Sequence, residues 1–127
     1  MRFLLGLGLA LSMSSAASAT DWSQAKEVDV VTTEYKFAPK SFVFEKGTPY
    51  RLHLTNKGKE MHEFTAPEFF RTLGMQDAAA LNADKTEIEL APGATKDLYF
   101  VALQSGKFPL RCSDHDWAGM IGRITVR

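Results

Sequence analysis

A two-residue apolar period, repeated over short runs and broken by turn residues, most constrains how this chain can fold. In "PYRLHLTNKG" Tyr50, Leu52 and Leu54 alternate with Arg51, His53 and Thr55, and the run closes at Asn56-Lys57-Gly58. Successive side chains of a strand point to opposite faces, so each such run offers one face to a core and one to water. His53, between two leucines, falls on the solvent side. "KEVDVVTTEYKF" sets Val28, Val30 and Thr32 in one register before a break at Pro39, and "SFVFEKG" puts Phe42 and Phe44 on one face and ends at Gly47. "TEIELAPG" and "ATKDLYFVAL" read as two strands joined across Ala91-Pro92-Gly93, and "GKFPLRC" and "GMIGRITVR" complete the set. The spacing predicts an all-β Greek-key sandwich or barrel of about seven or eight strands.

One stretch departs from the pattern. "PEFFRTLGMQDAAALNAD", residues 67–84, is alanine-rich, with Phe70, Leu73 and Leu81 on one side. It predicts an insertion carrying one short helix, weakened by Gly74 and packed on an end or edge of the sandwich. Met61 and Met75 are expected to pack, the commoner use of methionine.

The first residues read as a leader. "MRF" is positive, "LLGLGLALSM" is apolar, and Ala17-Ser18-Ala19 fits a small-x-small cleavage rule, which predicts a signal peptide over 1–19 and a mature domain over 20–127. The apolar run is short for a membrane span, and an uncleaved anchor is the lesser alternative. Loss of Arg2 with the leader leaves 14 basic against 15 acidic residues, with no basic stripe for nucleic acid and no cationic amphipathic helix for a membrane surface. The expectation is an exported chain, periplasmic and without stable membrane insertion.

Export makes the single cysteine, Cys112, conspicuous. It has no internal disulfide partner, and a free thiol outside the cytosol is open to oxidation unless something occupies it. In "RCSDHDWAGM" His115 follows Cys112 by three residues and Met120 follows His115 by five. A thiolate, an imidazole and a thioether in one loop, completed by a second imidazole, form a donor set that selects copper for electron transfer. His62, opening a strand after the turn at 56–60, is the candidate for that second imidazole. Gly119 would let the backbone bend tightly into Met120. The metal set is therefore His62, Cys112, His115 and Met120.

Other readings weigh less. Cys112 as a buried small hydrophobe leaves the loop pattern unexplained. Cys112 as a nucleophile beside His115 or His62 lacks an oxyanion arrangement and leaves Met120 idle. Zinc accepts two histidines and a cysteine, but the thioether and the affinity order favour copper. A binuclear copper centre would need two cysteines. Glu60 and Glu63 are expected to be solvated, with a role beside the metal as the minority reading. Trp117 is either a lid on the loop or an exposed contact for a partner.

With those residues in view, the chain resembles the cupredoxins, the type 1 (blue) copper proteins that include plastocyanin, pseudoazurin and azurin. The resemblance runs through "EYKFAPKSFVFEKGTPYRLHLTNKGKEMHEF", "IELAPGATKDLYFVALQSGKFPLRC" and "HDWAGMIGRITV". Cys-x-x-His-x-x-x-x-Met, with glycine before the methionine, is matched at Cys112, His115, Gly119 and Met120, and the upstream family histidine maps onto His62. Glu63 stands where plastocyanin-like members carry an asparagine that ties the two ligand loops. Asp114, Asp116 and Trp117 replace a small apolar loop, and the insertion has no plastocyanin counterpart. In these departures the chain is similar to exported cupredoxin-like proteins, some linked to copper tolerance.

The resemblance implies one copper ion cycling between Cu(I) and Cu(II), no enzymatic activity, and a monomer that works as a one-electron carrier. His115 would be the solvent-edge ligand, and the aspartates beside it suit a cationic face on a redox partner such as a c-type cytochrome. The rival is copper sequestration or delivery, with a copper-handling protein as partner.

Overall fold

Tyr50, Leu52 and Leu54 are buried and the residues between them half-buried, as their alternation requires. The structure, a computed structural model, describes residues 19–127; the expected signal peptide lies outside these, apart from Ala19. Ten strands are present among the described residues: β1 (Lys26–Thr33), β2 (Lys36–Ala38), β3 (Ser41–Phe44), β4 (Pro49–Asn56), β5 (His62–Thr65), β6 (Leu73–Met75), β7 (Glu87–Leu90), β8 (Thr95–Ala102), β9 (Gly106–Arg111) and β10 (Ile121–Val126). Two of them, β2 and β6, span only three residues each. Seven of the others correspond to the runs that alternation marks out, and the eighth, β5, is buried along its whole length.

The strands form two five-stranded sheets, ordered β2-β1-β4-β8-β6 and β3-β10-β9-β5-β7. Most neighbours are antiparallel, but β1 pairs with β4, and β3 with β10, in parallel. Parallel neighbours cannot be joined by a hairpin, so the chain changes sheet between them. The turn Ala91-Pro92-Gly93 likewise carries the chain from β7 in the second sheet to β8 in the first, rather than closing a hairpin. The result is the expected all-β sandwich.

Its core is largely aromatic. Phe44 lies 4.9 Å from Tyr50, 5.1 Å from Phe100 and 5.8 Å from Phe69, measured between ring centroids. Its edge-to-face contacts with Tyr50 and Phe100 and its stacked contact with Phe69 add to the area term. The Tyr50 hydroxyl, the one polar end in this group, accepts the Glu45 backbone N–H at 2.8 Å. On the opposite surface of β4, His53 shares Asp97 with Arg51, at 2.6 Å and 3.1 Å. His53 is thus outward but paired.

The short helix expected within segment 67–84 is α1 (Pro67–Phe70), and the rest of the segment is not helical. Thr72 Oγ1 donates to the Phe69 carbonyl at 2.8 Å as the turn ends. The chain then extends through Gly74 as β6, which adds an edge strand beside β8. Beyond it, Asp77 accepts the Ala79 N–H at 3.0 Å and Asn82 accepts the Thr86 N–H at 2.8 Å. Such side-chain bonds offer the backbone an alternative to helix, which overrides the alanine content. Phe69, Phe70 and Ala80 still reach the core, with Leu81 packed against it.

Phe44→Ala should cost about 3–5 kcal/mol of unfolding free energy, read as a lower urea midpoint, since it empties the centre of this cluster. A loss under about 1 kcal/mol would mean that the sheets repack around the vacancy.

Candidate metal centre

Three segments meet at one end of the sandwich. The β4–β5 turn leads into His62, the first residue of β5. The β9–β10 loop starts at Cys112, one residue after β9, and closes at Met120, one residue before β10. The β1–β2 turn, Glu34-Tyr35, lies above both.

The β9–β10 loop is closed by its own backbone. Cys112 N–H donates to the Met120 carbonyl at 3.0 Å, and the N–H groups of His115 and Met120 complete the ring through Cys112 and His115 carbonyls at 3.1 and 3.3 Å. A 3₁₀ turn over Asp116–Ala118 ends at Gly119, whose φ of +82° is a left-handed conformation that suits glycine. Met120 therefore returns to the core, fully buried. The β4–β5 turn is held from within by the buried Asn56. Its Nδ2 donates to the Glu60 and Leu90 carbonyls at 2.8 and 2.9 Å, and its Oδ1 accepts the Gly58 N–H at 2.8 Å.

These turns bring His62, Cys112 and His115 together, with one donor atom from each within 4.8 Å of the others. Cys112 Sγ lies 3.5 Å from His115 Nδ1, and the two imidazole centroids are 5.1 Å apart. His62 and Cys112 are wholly buried, whereas the His115 side chain keeps 13% of its exposure. His62 Nδ1 is buried and has no hydrogen-bond partner among the described residues. An orphaned buried ring nitrogen is costly unless its lone pair has something to bind, and a metal ion in this cage supplies that. Two imidazoles and a thiol, with the Met120 thioether in the same closed loop, form a donor set that fits copper.

Glu63 overturns the expectation of a solvated side chain. It is buried under the β9–β10 loop, where the Cys112 thiol donates to its Oε2 at 3.0 Å while its own N–H donates to Sγ at 3.4 Å. The two ligand-bearing segments are thus tied through Glu63. Burial, and then the hydrogen bond shared with Asp114, push its carboxyl up to about 7. Burial, with Glu63 alongside, pushes the Cys112 thiol up to about 11. The metal-free cage therefore holds a protonated thiol, and metal binding must release that proton.

Alternation alone did not mark out Glu34 and Tyr35. Glu34 Oε1 lies 3.1 Å from His62 Nε2 and accepts the N–H groups of Lys59 and Glu60 at 2.6 and 2.9 Å. The Glu60 N–H first of all, with Lys59 and His62, outweighs desolvation and holds the Glu34 carboxyl down at about 2. The Tyr35 ring lies 4.8 Å from the His115 ring, tilted by 34°. Tyr35's side-chain bond to Glu60 raises its phenol pKa. Glu60 Oε2 also lies 3.5 Å from His115 Nε2. Trp117 is 78% exposed, with its indole N–H on the Asp114 carbonyl at 2.9 Å, so it faces outward and is not a lid. Met61, expected to pack, is 41% exposed, while Met75 packs against the core.

Residues 3–126 match the family model described as the cupredoxin-like domain. The chain belongs to this family. A plastocyanin from Mercurialis perennis is 31% identical over 94 residues, covering 73% of this chain and 89% of that protein. Dithionite-reduced auracyanin from Roseiflexus castenholzii superposes with a TM-score of 0.61 at 22% identity, over 81% of this chain and 98% of its own. Auracyanin B gives 0.60 at 22% identity, over 90% and 95%. The McoA multicopper oxidase from Aquifex aeolicus gives 0.66 at 12% identity, but this chain spans only 32% of it. At these identities the solved structures show the shared fold. Cupredoxins bind one copper ion and, like plastocyanin, carry electrons, and the His62–Cys112–His115 cluster in this chain can hold a metal.

The buried Glu63 carboxyl makes the metal-free protein pH-sensitive. Its folded pKa near 7 lies above the ordinary 4.5, so between them the folded state binds the extra proton. The stability this confers is fully present below the ordinary value and is lost as pH rises through about 7. Glu63→Gln should flatten that part of the metal-free stability–pH curve, measured as urea midpoints. Parallel curves for variant and wild type would mean that Glu63 titrates normally.

Proposed function

We propose that this cupredoxin is an exported, periplasmic one-electron carrier whose His62, Cys112, His115 and Met120 hold a single copper ion. The observation that carries the reading is the convergence of Cys112 Sγ with two imidazoles in a buried cage whose His62 Nδ1 has no other partner. A copper ion held there supplies reversible one-electron chemistry.

The chain's own contribution is rigidity and exclusion. Cys112, His62 and Met120 are fully buried, and their backbone is fixed by the closed β9–β10 loop and by β5. A cage built in this way changes little with the charge it holds, which keeps reorganisation small. The same burial disfavours a delivery role, since a recipient protein would have to reach ligands that only His115 brings near the surface. The export reading rests on the leader pattern at 1–19, and no helix among the described residues is long and apolar enough to cross a membrane.

His115 is the edge at which electrons enter and leave. Around it stand the exposed Trp117, Tyr35 and Met61, with Glu60, Asp114 and Asp116 as an acidic rim. Arg111 lies 3.9 Å from Asp116 and offsets part of that charge. An apolar contact with an acidic margin suits a redox protein with a cationic face, such as a c-type cytochrome.

Copper-loaded protein should show a strong thiolate-to-copper absorption band that disappears in Cys112→Ser. Met120→Gln should keep the metal while changing colour and reduction potential. Copper bound only as labile Cu(I), with no such band, would favour the sequestration reading. Transfer to a cationic partner should slow as salt is added, and a rate independent of ionic strength would dismiss the acidic rim.

A further inference from the structure

We infer that Glu34, seated in a cradle that exists only because residue 58 is glycine, is a positioning residue that sets which nitrogen His62 turns toward the metal. The inference rests on His62 being a copper ligand and adds to the site a residue from outside the ligand loops.

A neutral imidazole carries one N–H and one lone pair, and the partner of one nitrogen decides the role of the other. Glu34 Oε1 lies 3.1 Å from His62 Nε2, and an ionised carboxylate only accepts. Nε2 must therefore carry the hydrogen, which leaves the lone pair on Nδ1. Nδ1 is the buried atom with no hydrogen-bond partner, and His62 is part of the cluster with Cys112 and His115. Without Glu34, a buried imidazole is free to place its hydrogen on the wrong side. Carboxylate–imidazole–metal relays of this kind raise the donor strength of the ligand.

The carboxylate is itself fixed by the turn that presents His62. The same Oε1 accepts the Lys59 and Glu60 N–H groups at 2.6 and 2.9 Å. A Cβ at Gly58 would overlap that oxygen and come within 2.9 Å of the carboxyl carbon. Gly58 is not among the glycines with positive φ, so space and not backbone conformation requires a glycine there. A methyl at residue 58 meets only the end of a flexible side chain, so it should push Glu34 out of the cradle and leave the backbone in place.

Three variants separate the roles. Glu34→Ala removes acceptor and charge, Glu34→Gln keeps an acceptor without charge, and Gly58→Ala keeps the carboxylate but displaces it. The first readout is the His62 imidazole ¹⁵N spectrum of the metal-free protein, which reports the tautomer independently of copper. Wild type and Glu34→Gln should hold the hydrogen on Nε2, whereas Glu34→Ala and Gly58→Ala should show mixed tautomers. Copper affinity should fall about ten- to a hundred-fold in those two variants. Glu34→Gln should raise the reduction potential, because the lost negative charge stabilised Cu(II). Backbone amide spectra check that each variant is folded. A folded Glu34→Ala protein with a pure Nε2–H tautomer, and with affinity within about twofold of wild type, would leave Glu34 as a loop anchor only. Absence of a thiolate–copper band in the wild type would instead sink the carrier reading and leave the tautomer result standing.

Discussion

The Cys112 sulfur is where the metal-binding end of this protein is tied together. It lies 3.5 Å from His115 Nδ1, accepts the Glu63 N–H, and donates to the Glu63 carboxyl. One atom thus links β5 to the β9–β10 loop, next to the single β5–β9 register pair, Thr65 with Arg111. In the family pattern an asparagine after the first histidine makes this tie. Glu63 makes it here with a carboxyl group, which leaves a titratable acid beside the thiol.

The proposed ligands and their supports come from different sheets. His62, Cys112, His115 and Met120 belong to strands and loops of the second sheet, while Glu34, Tyr35 and Asn56 come from the first. Asn56 and Glu34 hold the β4–β5 turn from either side, and Tyr35 lies over His115. Packing of the two sheets therefore also brings the groups that support the imidazoles into place. That is how a sandwich can keep a metal cage rigid although three of its proposed ligands lie in a loop.

Much of this is legible in the chain itself. Alternation marks the strands because burying one face of a sheet imposes a period of two. The Cys112–His115–Met120 spacing marks the loop, because three donors in nine residues need only one distant partner. The short helix that composition points to in 67–84 is confined to Pro67–Phe70, because Thr72, Asp77 and Asn82 turn the backbone locally beyond it. The sequence points to a solvated Glu63, because a carboxylate in an exposed-looking stretch usually is. Its burial depends on a loop that starts 49 residues later.

The sequence by itself determined the fold class and pointed to His62, Cys112 and His115, which meet in one cluster, since local periodicity and local spacing carry those. Only the tertiary structure decided which carboxylates face which imidazole, that Met61 and Trp117 lie outside, and that Gly58 is small to make room for Glu34. Those facts depend on contacts between segments far apart in the chain. No local pattern encodes them, because the side chains acquire their neighbours only when the two sheets close.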